Sequence, residues 1–196
     1  FGGSCFQKDI LNLVYLCRHF GLPEVADYWE SVVALNTWQQ HRIARLVVQK
    51  LFGTVTGKRL AILGFAFKAD TNDTREAPAI RICQDLLEEG AQLVIHDPKV
   101  ATDQMARDLQ QESASQVDAL SGSGSWARAN SVEDAVMGAD AVLVLTEWQH
   151  YRDLNWQALA ARMRKPAWVF DARAVADPAQ IKAAGLSLWR VGDGEG

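Results

Sequence analysis

From Gly57 onward the chain alternates short apolar runs with segments of helical period, and that alternation restricts the fold more than any other feature. RLAILGF (59–65), QLVIHD (92–97), AVLVLT (141–146), AWVFDA (167–172) and LSLWRV (186–191) read as strands. Amphipathic stretches lie between them, near 77–89, 131–138, 151–164 and 178–184. Near-continuous apolar strands need cover on both faces, and strands separated by helices pair in parallel through crossovers. The reading is therefore α/β, with a parallel sheet between helical layers. The region 99–130 contains SGSGS and has little periodicity, so a surface loop with some helix and poor order is expected there.

The first fifty residues have a different texture. Ser4 with Gln7 three residues on matches a capping box, and Ile10, Leu13, Val14, Cys17 and Phe20 follow at helical spacing up to Gly21, which predicts a helix over 4–21. Pro23 suits the first turn of a second helix that meets no breaker until Gly53. Residues 23–52 as one helix would reach about 45 Å, the diameter of a domain or more. A helix of that length is expected to bridge domains or to bury Trp29, Val33, Trp38 and Leu46 against a second subunit. The expected organisation is a helical segment, 1–53, and an α/β domain, 57–193.

Charge and cysteine usage exclude some function classes. A net charge of −4 argues against a general nucleic-acid binder, which needs excess positive charge. Three cysteines at the irregular positions 5, 17 and 83 make neither a disulfide framework nor a zinc pattern, and suit a reducing cytoplasm. The most apolar short run, AVLVL, is far too short to span a bilayer. The chain opens at Phe1, inside what reads as a functional loop, so the natural protein is expected to extend upstream.

Three stretches carry candidate chemistry. Cys5 sits at the start of the first helix, where the dipole favours thiolate, with Lys8 and Asp9 on the same helical face and Gly2 and Gly3 just before it. Free cysteines are usually buried and inert, so a capped helix whose thiol packs in the core is the plainer reading, and spacing alone does not settle between the two. GFAFKADTNDTREAPAI (64–80) joins a strand to a helix and carries Lys68 and Arg75, but is neither a dinucleotide fingerprint nor a phosphate-cradling loop. Arg173 follows the fourth strand in FDARAV. Lys68 and Arg173 would share one sheet edge and face one crevice, which suggests a pyrophosphate or another anion.

FGGSCFQKDILNLVYLC, LPEVADYW, LAILGFAFKADTNDTRE, HDPKV, TEW and FDAR occur in this order, and in this they closely resemble the UDP-glucose/GDP-mannose dehydrogenase family. The resemblance covers nearly all of the chain except 101–130 and the last few residues. It implies a Rossmann-like three-layer domain that binds UDP, preceded by a central dimerisation helix and, upstream of Phe1, by an NAD-binding domain. The implied activity is NAD-dependent oxidation of UDP-glucose to UDP-glucuronate in two steps, through a thiohemiacetal and a thioester on Cys5, with Asp9 assisting water. By the same resemblance, Cys5, Phe6, Gln7, Lys8 and Arg75 contact NAD, while Phe1, Gly2, Phe67, Lys68 and Arg173 hold the UDP-sugar. No metal, nucleic acid or membrane is implied; a cytoplasmic homodimer or higher homo-oligomer is, with the 196 residues inactive on their own. The alternatives are a sister enzyme acting on GDP-mannose or a UDP-N-acetyl hexosamine, or a non-catalytic UDP-binding and dimerisation module. Ala172 departs from the glycine of animal members; Cys17 and Cys83 are expected to be packing residues, and His96 and TEW (146–148) structural.

Overall fold

A computed structural model describes residues 1–114 and 123–193. Its first two elements are antiparallel helices, α1 (Ser4–His19) and α2 (Pro23–Lys50). The expected capping box does not form. Gly3, at φ 82°, is the N-cap residue, Ser4 is already helical, and no side chain caps the first turn. The start is set instead by packing, because the Gly3 backbone lies against the Phe67 ring, where an added Cβ would stand 2.9 Å from Cε2.

Helix α2 serves two cores. Its first half closes a small cluster of Ile10, Val14, Cys17 and Ala26, with Trp29, Val32 and Val33 packed on it. Its second half contributes Ile43, Ala44, Leu46 and Val47 to the main core. Trp29, Val33 and Leu46, expected to face a partner, are therefore used within the chain, since a 28-residue helix is long enough to span both clusters. Trp38 stays 50% exposed, with the Arg42 guanidinium 5.7 Å from its ring centroid.

The sheet has six parallel strands in the order β3-β2-β1-β4-β5-β6. They are β1 (Arg59–Leu63), β2 (Gln92–His96), β3 (Ser125–Arg128), β4 (Ala141–Val144), β5 (Trp168–Asp171) and β6 (Ser187–Arg190). The α/β reading holds, with one strand more than expected. The edge strand β3 is only SWAR, too short and polar to stand out in sequence, yet it pairs with β2 and buries Trp126 completely. The crossovers are α3 (Pro78–Glu88), α4 (Thr102–Leu109), α5 (Val132–Val136), α6 (Gln149–Arg152), α7 (Trp156–Ala160) and α8 (Pro178–Ala183). The single helix expected over 151–164 is instead α6 and α7, because Asn155 caps α7 by accepting from the Ala158 N–H at 3.0 Å. The helix expected within 99–130 is α4, and the expectation of poor order there fails for α4 and β3; its part 115–122 lies outside the described residues.

Leu60–Leu63 and Ala141–Val144 are fully buried, so β1 and β4 form the centre of the sheet. The order in which strands are added switches from one side to the other between them, and such a switch opens a crevice at their carboxyl ends. Gly64 turns the chain off β1 at φ 95°, and a Cβ there would stand 2.3 Å from the Thr146 Cβ. Asp97, just after β2, is 1% exposed and accepts five N–H groups: Phe65 at 2.7 Å, Ala66 at 3.0 Å, Lys99 at 2.9 Å, Val100 at 3.0 Å and the Trp148 indole at 3.2 Å.

Asp97→Ala would leave those donors without an acceptor, and each buried orphan costs about 1–3 kcal/mol. Chemical denaturation should show a loss of about 3 kcal/mol or more. Cys17→Ala and Cys83→Ala should each cost on the order of 1 kcal/mol, because both thiols are buried. Burial also pushes the Cys83 thiol far up from its ordinary value, so it should resist alkylation in the folded protein.

Candidate functional site

Three loops meet at the carboxyl edge of the sheet. The loop after β1 carries Phe67 and Lys68, closes on itself through Phe67 N–H to Asp73 C=O at 3.1 Å, and leaves Lys68 exposed with Nζ 5.4 Å from the Phe67 ring centroid. The loop after β5 carries Arg173, whose backbone N–H and that of Ala176 are both accepted by the buried Asp171 carboxylate, at 3.0 and 2.8 Å. Ala172 continues the strand by donating to Val144 C=O at 3.1 Å, and its backbone is ordinary, so the methyl group costs nothing there.

Between them lies the loop after β4, Thr146-Glu147-Trp148. Thr146 Oγ1 donates to Ala66 C=O at 2.6 Å, and Trp148 reaches Asp97 as described. Glu147 Oε1 accepts the Ala69 N–H at 3.2 Å, while Oε2 accepts Arg173 Nε at 2.7 Å and Nη2 as well. Burial pushes the Glu147 carboxyl up, but its own backbone N–H, the Arg173 guanidinium and the Ala69 N–H outweigh that and hold it below the usual value. Glu147 escaped the functional reading of the sequence. The available signal was a carboxylate placed directly after the innermost apolar strand.

The segment Phe1–Cys5 packs against this edge. Gly2 approaches so closely that a Cβ would stand 2.6 Å from Pro78 Cδ, and Phe1 C=O accepts from Asn36 Nδ2 at 3.0 Å. Phe1, Asn36 and Arg173 line one cavity of about 130 Å³ beneath the crevice. Phe1 and Phe6 meet edge to face at 4.8 Å. Cys5 is exposed in the first turn of α1, with Lys8 and Asp9 exposed one turn on. That settles the open question about burial: Cys5 is not a core thiol. Arg75 chelates Asp73, Nη2 to Oδ2 at 2.7 Å, and lies near enough to Cys5 to feel its charge; the Asp73 hydrogen bonds and the Cys5 charge both raise the guanidinium above its ordinary value. The structure thus brings Phe1, Gly2, Phe67, Lys68 and Arg173 to one edge, and places Cys5, Phe6, Gln7, Lys8 and Arg75 at the adjoining start of α1. A roomier recess of about 600 Å³, lined by Trp38, His41, Val48 and Asp85 among others, contains none of these residues. No cluster that could hold a metal occurs among the described residues, nor any helix long and apolar enough to cross a membrane.

Residues 61–178 match the UDP binding domain of the UDP-glucose/GDP-mannose dehydrogenase family. The chain is 44% identical over 203 residues to UDP-glucose 6-dehydrogenase 5 of Oryza sativa subsp. japonica, covering 98% of this chain and 42% of that protein. It is 44% identical over 200 residues to UDP-glucose 6-dehydrogenase 1 of Arabidopsis thaliana, with the same coverage. Among solved structures, a UDP-glucose dehydrogenase from the hyperthermophilic archaeon Pyrobaculum islandicum shares the fold at TM-score 0.72 and 24% identity, covering 97% of this chain and 37% of that one. The chain thus spans about two fifths of the length of the curated relatives it matches.

One neighbouring cluster holds two histidines whose imidazoles are both harder to protonate than usual. Burial lowers the His96 imidazole from its ordinary 6.5, helped by His150 and Arg128 and opposed by Asp97 and Glu133; burial lowers His150 too, against Asp97. His96 Nδ1 lies 2.9 Å from the Tyr151 hydroxyl, on α6. Both folded values are depressed, so the unfolded chain takes up protons first as pH falls below 6.5, and stability is lost from there downward. The denaturation midpoint should fall between pH 7 and 5.5, and His96→Gln should flatten that slope.

Proposed function

Because this chain belongs to the UDP-glucose/GDP-mannose dehydrogenase family, we propose that it holds the nucleotide of UDP-glucose and supplies the covalent nucleophile for its oxidation to UDP-glucuronate. The observation that carries the reading is the pairing of the Lys68 loop and Arg173 across Glu147 at the carboxyl edge of the sheet. Two cations on the strand ends that flank β4 suit a pyrophosphate, which takes charge-assisted hydrogen bonds from several donors. Phe1, Gly2 and Phe67 complete that site, whose walls are backbone and aromatic ring. In this reading residues 57–193 form the UDP-binding domain and 1–53 the end of a helical region through which two copies pair, Tyr28, Leu35 and Trp38 being large residues of α2 left open.

Cys5 lies beyond the nucleotide, at the start of α1, where the sugar C6 would project. The exposed Phe6, Lys8 and Arg75 beside it suit an anionic dinucleotide, with Gln7 next to them in the same turn. NAD, when bound, would accept a hydride in each of the two oxidations. Cys5 Sγ adds to the carbonyl carbon of the C6 aldehyde, and the resulting thiohemiacetal becomes a thioester on loss of the second hydride from C6 and of its hydroxyl proton to solvent. Attack of water on that thioester returns the thiol and releases the carboxylate. Asp9, one helical turn from Cys5, is placed to take the proton of that water. The enzyme would work in the cytoplasm, where all three thiols stay reduced.

Calorimetry of the 196-residue chain with UDP should show binding that Lys68→Ala and Arg173→Ala each weaken by about ten- to a hundredfold, since a hydrogen bond to a charged group contributes about 1.5–3 kcal/mol. Equal affinities in all three proteins would place the nucleotide elsewhere. In the full-length enzyme Cys5→Ala should form no UDP-glucuronate by product analysis; ordinary turnover to the acid would rule out the covalent route.

A further inference from the structure

We propose that Glu147 is a positioning residue that sets the spacing of the two nucleotide-binding loops. The inference rests on the nucleotide reading above and deepens it. β4 lies between β1 and β5 in the sheet, so the loop after β4 is the one element that borders both the Lys68 loop and the Arg173 loop. Glu147 uses its two oxygens separately. Oε1 takes the amide of Ala69, the residue next to Lys68, and Oε2 takes Nε and Nη2 of Arg173. One carboxylate thereby fixes the backbone beneath one cation and the guanidinium of the other.

The division of labour leaves Arg173 Nη1 without a bond to Glu147, while Lys68 Nζ touches the Phe67 ring and feels the Asp73 carboxylate without an ion pair among the described residues. Those are the donors an anion would need. Glu147 is itself held, because Thr146 is hydrogen-bonded to Ala66 C=O on one side and Trp148 to Asp97 on the other. A side chain clamped at both flanks loses little freedom on binding, which is the condition for pre-organising a charged site.

Reach separates positioning from simple charge. Glu147→Asp keeps the negative charge but is one methylene shorter, so it cannot engage Ala69 and Arg173 together. Glu147→Gln keeps the length and removes the charge. UDP affinity, measured by calorimetry on this chain, should fall about tenfold in Glu147→Asp, and by clearly less in an Arg173→Ala background, where only the Ala69 bond beneath Lys68 is left to lose, the signature of coupled residues. Tighter UDP binding by Glu147→Gln would mean that Glu147 competes with the nucleotide for Arg173, and unchanged affinity in Glu147→Asp would mean that reach is irrelevant; either overturns the assignment. So would loss of amide-exchange protection in β1 and β4 of Glu147→Asp, which would make the residue a general strut. Arg173→Ala that binds UDP as the unaltered chain does would instead remove the nucleotide reading itself.

Discussion

The buried carboxylate of Asp97 is the interaction on which the ligand-facing edge of this sheet depends. Strand ends leave backbone N–H groups without partners, and in a parallel sheet covered by helices water cannot serve them all. Asp97 gathers four such donors, from its own turn and from the loop after β1, and adds the Trp148 indole N–H. Phe65 and Ala66 are thereby held in place two residues before the Phe67–Lys68 pair. Thr146 closes the same turn from the other side through Ala66 C=O. The loop that carries a cation is thus rigid at its root and exposed at its tip, the arrangement needed to present a charge without burying it.

Arg173 follows the same logic from the opposite side. Asp171, fully buried, accepts two backbone N–H groups and so shapes the turn from which the guanidinium projects. Glu147 then joins the two systems. The sheet edge is consequently a chain of acidic acceptors, Asp97, Glu147 and Asp171, each taking main-chain donors and two of them supporting an aromatic or cationic side chain. The net negative charge of the whole molecule coexists with exposed cations at this rim because Asp97 and Asp171 are buried and Glu147 is engaged by Ala69 and Arg173.

Helix α2 attaches the cysteine segment to that rim. Its first half packs on α1 and its second half on the sheet domain, so α1 cannot move independently of the strands. The Gly2–Gly3 contacts with Phe67, Glu76 and Pro78, and the Asn36 bond to Phe1, fix the segment on the β1 loop itself. Cys5 therefore stands at a set distance from the crevice although it belongs to a different element.

Period and composition determined the two long helices, the α/β class and five of the six strands, because apolar faces repeat at intervals that a local window detects. The strand ends bearing Lys68 and Arg173 were legible for the same reason, as was the start of α1 near Cys5. The edge strand β3 was hidden: four residues cannot display a period, and Trp126 is buried by its neighbours rather than by its own pattern. The capping of α1 was misread because a close approach to Phe67, 64 residues away, overrode the local Ser4–Gln7 signal. Glu147 and Asp97 were visible only as polar residues after strands. Their importance lies in which donors surround them, and apart from the Lys99 and Val100 amides of the Asp97 turn those come from loops 26 to 78 residues distant in sequence. Sequence determined where the chemistry-bearing side chains occur along the chain; only the tertiary structure decided which of them face one another, because hydrogen-bond partnership is a property of space and not of order.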